Sequence, residues 1–386
     1  MNDGRTVGLL YGHRLDVGGV ESHLLALMSR CDRARWRWRI LAPTSASFSA
    51  RAAEALADVE YWAPRHALDA AALLSLVRST HTRPLDLLHV HDPRALPIAQ
   101  MAALRLRIPL VYTVHLPVTS PGGIRSRTRR RLYGAAERLL LRMAPPARIV
   151  HVSARALAQT APRGNGRLVF IPNGVDLAPA PVTGARARVR AALGASDDAR
   201  VVTSVARLVP QKGLDLLLEA WAQAGGVCGA SHLWLAGDGP TRAGLEAARS
   251  RLGLNRQVTL LGRRDDVPDL LAATDVFVLA SRAETTPIAL LEAMAAGRAC
   301  IATDVGDCRA MLGDGSAGRV VAPGDVAGLA TALREFVADG ALRERMGHAA
   351  RERARLFIDV SMAERTATVY ETALAGGHAP EATGNG

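Results

Sequence analysis

The sequence is almost without lysine. Of 48 Lys plus Arg residues, one is lysine, Lys212, and the other 47 are arginine. Lysine is ordinarily among the commonest residues, so its near absence in a chain rich in Ala, Arg and Gly reads as coding bias. The net charge of +12 then reads as a solvated arginine-rich surface, although such a surface is drawn to phosphates, acidic lipids or nucleic acid by its long-range field. Aromatic residues are scarce, at 4%, which leaves no stacking platform of the kind single-strand binders use; no nucleic-acid partner is expected. No apolar run approaches the roughly 18 residues of a membrane-spanning helix. The N-terminus MNDGRTVGLLYG lacks a basic segment followed by an apolar one, so no secretory signal is read there and a cytoplasmic protein is expected. The four cysteines, Cys31, Cys228, Cys300 and Cys308, show no CxxC spacing. Free buried thiols in a reducing compartment fit them better than disulfides or zinc.

What the chain does have is apolar character, 49% of its 386 residues, enough for sizeable cores and for two or three domains. Short apolar runs alternate with longer amphipathic ones. The first half offers strand candidates at 6–11, 36–42, 85–91, 109–115, 147–153 and 168–172. The second half offers 201–206, 232–237, 257–262, 275–281, 299–304 and 318–323. Most are continuous apolar runs, as parallel strands covered on both faces require. Strand–helix alternation twice over predicts two Rossmann-like, doubly wound α/β domains facing across a cleft. The boundaries read as 1–177 and 178–360, with the Pro- and Gly-rich stretch 173–186 as linker. A last helix at about 361–376 is expected to return to the first domain, and 377–386 reads as a flexible tail.

Ligands of such sheets bind at the carboxyl ends of the strands, and that is where the unusual residues fall. After the first strand, Gly18-Gly19 leads into a helix, where backbone can approach an anion; Glu21 sits in its first turn and Asp16 lies just before. His91-Asp92 and His115 end two later strands. Each histidine fits either a satisfied structural role or a ligand contact. In the second domain Arg207 and Lys212 follow a strand and precede a helix near Gly213, two cations able to converge on one anion such as a diphosphate. In SRAETTPIALLEAMAAG, Thr286 reads as an N-cap, Pro287 as the first helical residue and Gly297 as the C′ position, predicting a helix over 287–296. Glu284 precedes that helix, and Glu292 lies within it among apolar neighbours, where a carboxylate needs partners. Carboxylates accept bonds from sugar or ribose hydroxyls. Asp265-Asp266 reads as a helix N-cap rather than a metal site.

Taken together, GGVE (18–21), HVHDP, TVH, HVS (151–153), IPNGVD (171–176), VARLVPQKG, LAGDGP (235–240), LGRRDDVPDLLAATDVFVLAS (261–281) and the E-x7-E pair Glu284/Glu292 resemble a retaining glycosyltransferase of family 4 with the GT-B fold. The resemblance spans nearly the whole chain. It implies transfer of a hexose or N-acetylhexosamine from a nucleotide-diphosphate sugar to an acceptor hydroxyl, on a small-molecule natural product or a lipid-linked cell-envelope glycan. UDP-sugar is the favoured donor, with GDP-mannose the other, and no cofactor or metal is implied. By the same resemblance Arg207 and Lys212 neutralise the diphosphate, Glu292 holds the ribose, and Glu284 and His115 contact the transferred sugar. Gly18 and Gly19 approach the phosphates or acceptor, and Arg263 lies near the base. Thr285, Thr286, Pro287 and Ile288 complete the donor side, while Asp16, His91 and His115 are acceptor-side candidates. One departure stands out: Thr285-Thr286-Pro287 occupies the place of the family's usual Gly-rich run.

Other classes fit less well. A dehydrogenase needs G-x-G-x-x-G after a strand, which DVGGVESH does not supply. A phosphorylase needs a pyridoxal lysine, and the one lysine lies where the diphosphate cation is expected. A sugar-nucleotide epimerase shares the architecture but not the E-x7-E pattern. A non-catalytic sugar-nucleotide binder remains an alternative. The stretch 122–148, a basic cluster followed by an apolar-faced segment, reads either as a surface for an anionic membrane or as a solvated arginine-rich helix.

Overall fold

Apolar runs too continuous to alternate must be covered on both faces, and helices between them do the covering. A computed structural model of the chain describes residues 4–13, 15, 18–115, 135, 139, 141, 146–160, 167–177, 182–227 and 230–376. Asp16, Cys228, most of 122–148, part of the 173–186 stretch and the tail 377–386 lie outside the described residues.

The described strands are β1 (Arg5–Leu10), β2 (Trp36–Leu41), β3 (Ala57–Glu60), β4 (Leu87–Val90), β5 (Leu110–Val114), β6 (Arg148–His151), β7 (Leu168–Phe170), β8 (Arg200–Val205), β9 (Ser231–Ala236), β10 (Val258–Gly262), β11 (Val276–Leu279), β12 (Ala299–Thr303) and β13 (Arg319–Val321). They form a seven-stranded sheet in the order β3-β2-β1-β4-β5-β6-β7 and a six-stranded sheet in the order β10-β9-β8-β11-β12-β13. Neighbours pair in parallel. In each sheet the winding reverses once, between β1 and β4 and between β8 and β11, and such reversal points open a crevice at the carboxyl ends of the strands. The strand missing from the sequence expectations is β3. Its ADVE is half exposed at a sheet edge, so it needs no apolar run.

The first unit runs to Gly174 and takes in the chain from Asp359 onward. Its last helix, Asp359–Leu374, packs on the helix Gly19–Arg30. Arg30 Nε bonds Asp359 Oδ2 at 2.7 Å, and buried Tyr370 meets the rings of Trp36 and Trp38. The second unit holds Val175–Ile358. Val175 N–H donates to Phe357 O at 2.8 Å, and Val175 bridges Ile358, so the two chain crossings lie side by side. The 173–186 stretch is not linker to its end, because the helix Ala185–Ala192 begins inside it. Cys31, Cys300 and Cys308 are free and buried; burial pushes the Cys31 and Cys300 thiols up to about 12 and raises Cys308 as well.

The second unit buries the charge of Arg190 completely. Arg190 is 0% exposed and satisfied on every side: Nη2 bonds Asp275 Oδ2 at 2.8 Å, Nε bonds Ala273 O, and Nη1 bonds the carbonyls of Ser196, Asp197 and Ala199. Asp275 also accepts Val201 N–H at the start of β8, at 2.8 Å. A buried pair is costly to break because the survivor stays desolvated. Arg190→Met should therefore lower the urea-unfolding free energy by about 3 kcal/mol; a loss within experimental error would contradict this network.

Candidate active site

The reversal point of the second sheet is built by three loops pressed together. The loop after β8 ends in a 3-10 turn, Pro210–Lys212, and Gly213 at φ 62°. That left-handed geometry favours glycine, and space demands it too, since a Cβ there would collide with Ala280 O in the loop after β11. The same two loops are tied by Arg282 N–H to Gln211 O at 2.8 Å, by Gln211 Nε2 to Ala283 O at 2.8 Å and by Arg282 Nη1 to Pro210 O at 2.8 Å. From the other side comes the loop after β12. Gly306, at φ 53°, has its backbone against the carbonyls of Glu284 and Thr285, and Asp307 N–H donates to Thr285 O at 2.8 Å.

This clamping places the side chains. Lys212 Nζ lies 2.6 Å from Glu284 Oε1, and Ser281 Oγ donates to the same oxygen at 2.7 Å. Glu284 and Ser281 are largely buried and Lys212 is 20% exposed, so the ion pair opens onto solvent through its cation. Arg207 follows β8 on the same loop and is exposed. The expected helix runs Ile288–Ala295 with Pro287 at the N-cap, not Thr286. Pro287 keeps an extended ψ of 117°, while the buried Thr286 hydroxyl turns to Asp307 Oδ2 at 3.5 Å. No side chain caps this helix; Leu290 N–H turns back to Pro287 O at 3.1 Å, and the helix N-terminus lies at the reversal point, the arrangement that attracts an anion. Gly297 takes the left-handed conformation two residues past the helix end, at φ 67°. Glu292 is half buried, one turn after Ile288. Arg263 follows β10 and pairs with Asp265 at 3.4 Å. Asp266 occupies the N-cap position of the helix Val267–Ala272, but its carboxylate bonds Arg264 at 2.6 Å rather than the helix amides.

In the first unit Gly18 is the N-cap of the helix Gly19–Arg30 and is extended, at φ 168°. The Glu21 carboxylate folds back over it. Asp92 caps the turn after β4 by accepting Arg94 N–H at 2.7 Å and Ala95 N–H at 3.0 Å, and it reaches across the reversal point to Gly12 N–H. His91 and His115 end the adjacent strands β4 and β5 and meet, Nδ1 to Nε2, at 3.0 Å. Beside them stands His23, buried on the first helix, with Nδ1 3.1 Å from Asn173 Oδ1. His89 bonds Tyr370 Oη and Thr113 Oγ1, each at 2.7 Å. Burial pushes His23 down to about 4 against a smaller upward pull from Asn173. Burial, with the neighbouring imidazoles, also holds His89, His91 and His115 well below the usual range.

His23, His89, Asn173 and Ser281 had no place among the expected site residues. For His89 the signal was present, since His89 and His91 stand two apart on a strand and share a face. His23 gave none: it sits on a helix face that otherwise reads as core.

Two outcomes follow from this geometry. Gly213→Ala should lower the unfolding free energy by more than ~1 kcal/mol, because φ is positive and Ala280 O occupies the Cβ space; an unchanged urea midpoint would contradict the clamp. His151, at the end of β6, is pushed down to about 4 by burial, whereas unfolded histidine titrates near ~6.5. Its neutral form therefore contributes stability that is present above pH ~6.5 and is lost as pH falls toward 4, at up to ~1.4 kcal/mol per pH unit. Urea unfolding at stepped pH should show that slope, and His151→Asn should reduce it; equal slopes would count against a buried neutral imidazole.

A family model described as Glycosyltransferase Family 4 matches residues 17–179, and one described as Glycosyl transferases group 1 matches residues 185–353. The chain is 30% identical over 395 residues to the phosphatidyl-myo-inositol mannosyltransferase of Mycobacterium leprae (strain TN), covering 96% of this chain and 98% of that protein. It is 38% identical over 163 residues to the lipopolysaccharide core biosynthesis glycosyltransferase LpsE of Rhizobium meliloti (strain 1021); that match covers 42% of this chain and 47% of the relative, less than half its length. The crystal structure of Anabaena Alr3699/HepE in complex with UDP-glucose aligns with a TM-score of 0.81 at 24% identity, over 95% of this chain and 99% of that one, a likeness of fold. No helix among the described residues is long and apolar enough to cross a membrane. The chain belongs to the family 4 glycosyltransferases and has their GT-B fold of two parallel-sheet α/β domains.

Proposed function

We propose that this glycosyltransferase moves a hexose or N-acetylhexosamine from a nucleoside-diphosphate sugar, UDP-linked before GDP-linked, to an acceptor hydroxyl with retention of anomeric configuration. The observation that carries the proposal is the reversal point of the second sheet. There a lysine, a carboxylate and a helix N-terminus uncapped by any side chain are held by three interlocked loops. A diphosphate needs positive charge, and a sugar needs hydroxyl acceptors. Lys212 and Arg207 supply the cations and the helix amides supply further donors. Glu284 takes a sugar hydroxyl and Glu292 the ribose diol, with Arg263 beside the base. Thr285 to Ile288 line the donor, although Pro287 has no N–H to give the phosphate. From the first unit Gly18 and Gly19 offer backbone, and His115 contacts the sugar. Charge grows on the departing diphosphate in the transition state, and fixed cations and dipoles stabilise it without rearrangement. In this scheme no metal is required, and turnover persists in EDTA.

A uridine donor is supported by the Anabaena structure of like fold, which holds UDP-glucose. The relatives named for phosphatidyl-myo-inositol and for lipopolysaccharide core support a lipid-linked acceptor, and the 2-deoxystreptamine glucosyltransferase of Streptomyces kanamyceticus, 30% identical over 70% of this chain, supports a small-molecule one. Nucleotide release from a donor panel, with and without acceptor, tests enzyme against binder; no release with any donor would favour a non-catalytic nucleotide-sugar binder. An inverted product by NMR would overturn retention. Lys212→Ala should lower kcat/KM about 100-fold, equivalent to ~3 kcal/mol of lost charge stabilisation, while Lys212→Arg should recover part of the loss, because the wider guanidinium carries the charge without the fit. Unchanged turnover in Lys212→Ala would remove Lys212 from the site.

A further inference from the structure

Three histidines of the first unit, two buried and one partly exposed, converge. One ring nitrogen from each of His23, His91 and His115 lies within 4.8 Å of the other two. They come from separate elements, the helix after β1 and the ends of β4 and β5, so no local sequence spacing gives the grouping away. We propose that His23, His91 and His115 form a binding site for one borderline divalent transition cation of the zinc class.

The hydrogen bonds point to an unfilled coordination set. His23 Nδ1 lies 3.1 Å from Asn173 Oδ1; with that amide oxygen accepting, the His23 lone pair sits on Nε2. Nε2 is buried and has no hydrogen-bond partner. His91 presents its Nδ1 to His115 Nε2 at 3.0 Å. Buried polar atoms are normally satisfied, and a cation is the ligand that would take His23 Nε2 together with His91 Nδ1 and His115 Nε2, the two nitrogens that already face each other. A carbonyl-type acceptor on the far nitrogen, as Asn173 provides for His23, is the usual outer partner of a metal-bound imidazole, fixing its tautomer and ring angle.

Donor chemistry narrows the class. Three neutral imidazoles and no carboxylate suit zinc, copper or nickel, and not the oxygen-seeking calcium or magnesium. Tetrahedral zinc with nitrogen bonds of ~2.0–2.1 Å sets its ligand atoms about 3.3 Å apart. The contact of 3.0 Å between His91 Nδ1 and His115 Nε2 is already near that edge, and a set spread over no more than 4.8 Å has to draw in by at most about 1.5 Å to meet it. His23 and His91 are buried, whereas His115 keeps partial exposure, which gives an ion an entry and leaves a fourth position for water.

The binding claim stands on these residues alone. Its consequence for turnover rests on the donor-sugar role of His115 proposed above: a bound ion would withdraw that imidazole from the sugar, so zinc inhibits and a chelator restores activity.

The test uses the metal-free full-length protein and zinc itself. Equilibrium dialysis should show one tight equivalent per chain, and X-ray absorption on the wild-type complex should count three imidazole nitrogens at ~2.0–2.1 Å. His23→Gln should weaken binding at least tenfold, and Asn173→Ala about tenfold through loss of the outer partner. No stoichiometric zinc, fewer than three imidazoles in the absorption spectrum, or His23→Gln binding as tightly as wild type would overturn the site. The spectrum on wild type decides the matter even where a variant fails to fold. Stoichiometric zinc with unaltered turnover would leave the site standing and overturn the role of His115 instead.

Discussion

The interaction on which the donor half depends is the pressing of one backbone loop against another at the reversal of the second sheet. Gly213 sits where a Cβ would strike Ala280 O, and Gly306 sits where one would strike the carbonyls of Glu284 and Thr285. With both contacts made, the loop after β11 has one path left to it. Ser281 and Lys212 then meet the same carboxylate oxygen of Glu284. A charged pair exposed to water contributes little, and its geometry wanders. Here the carboxylate side is largely buried and the backbone is tied on both flanks, so the pair holds its place. The parallel sheet supplies the rest, because strands that reverse their winding between β8 and β11 leave a crevice at their carboxyl ends.

The first unit follows the same topology with different chemistry at its reversal point. There imidazoles stand beside the Asp92 carboxylate. Burial holds the imidazoles below their usual titration range, and the cluster is held by Asn173 on one side and by the Tyr370–His89–Thr113 bonds on the other. Tyr370 belongs to the last helix of the chain, so the C-terminal segment of this unit bears directly on the histidines at its centre. A buried ring nitrogen without a partner is a cost to the fold, and it occurs at two neighbouring positions, His23 Nε2 and His91 Nε2.

Much of this was legible in the sequence because parallel strands announce themselves as apolar runs. The strands after β3 and the two before it fall within a residue or two of where those runs begin and end. β3 itself was hidden because an edge strand, half in solvent, carries no such run. The helix at Ile288 was recognised from its Pro and Gly, but its cap was assigned to Thr286 on composition. The fold buries that hydroxyl toward Asp307 and leaves Pro287 at the cap. Lys212 and Glu284 were singled out as charges near strand ends, yet that they share one oxygen 72 residues apart in sequence is a matter of strand order. His23 joined no motif because its partners, Asn173, His91 and His115, lie on three other elements.

The central claim is that Lys212 and Glu284 act together on a nucleoside-diphosphate sugar. A double-mutant cycle on donor affinity tests it most directly, with UDP-glucose titrated calorimetrically into wild type, Lys212→Ala, Glu284→Gln and the double variant. If the pair works as one unit, each single variant weakens binding, and the double variant departs from additivity by ~0.5–3 kcal/mol. Affinity unchanged in both single variants, or losses that add within ~0.3 kcal/mol, would contradict it.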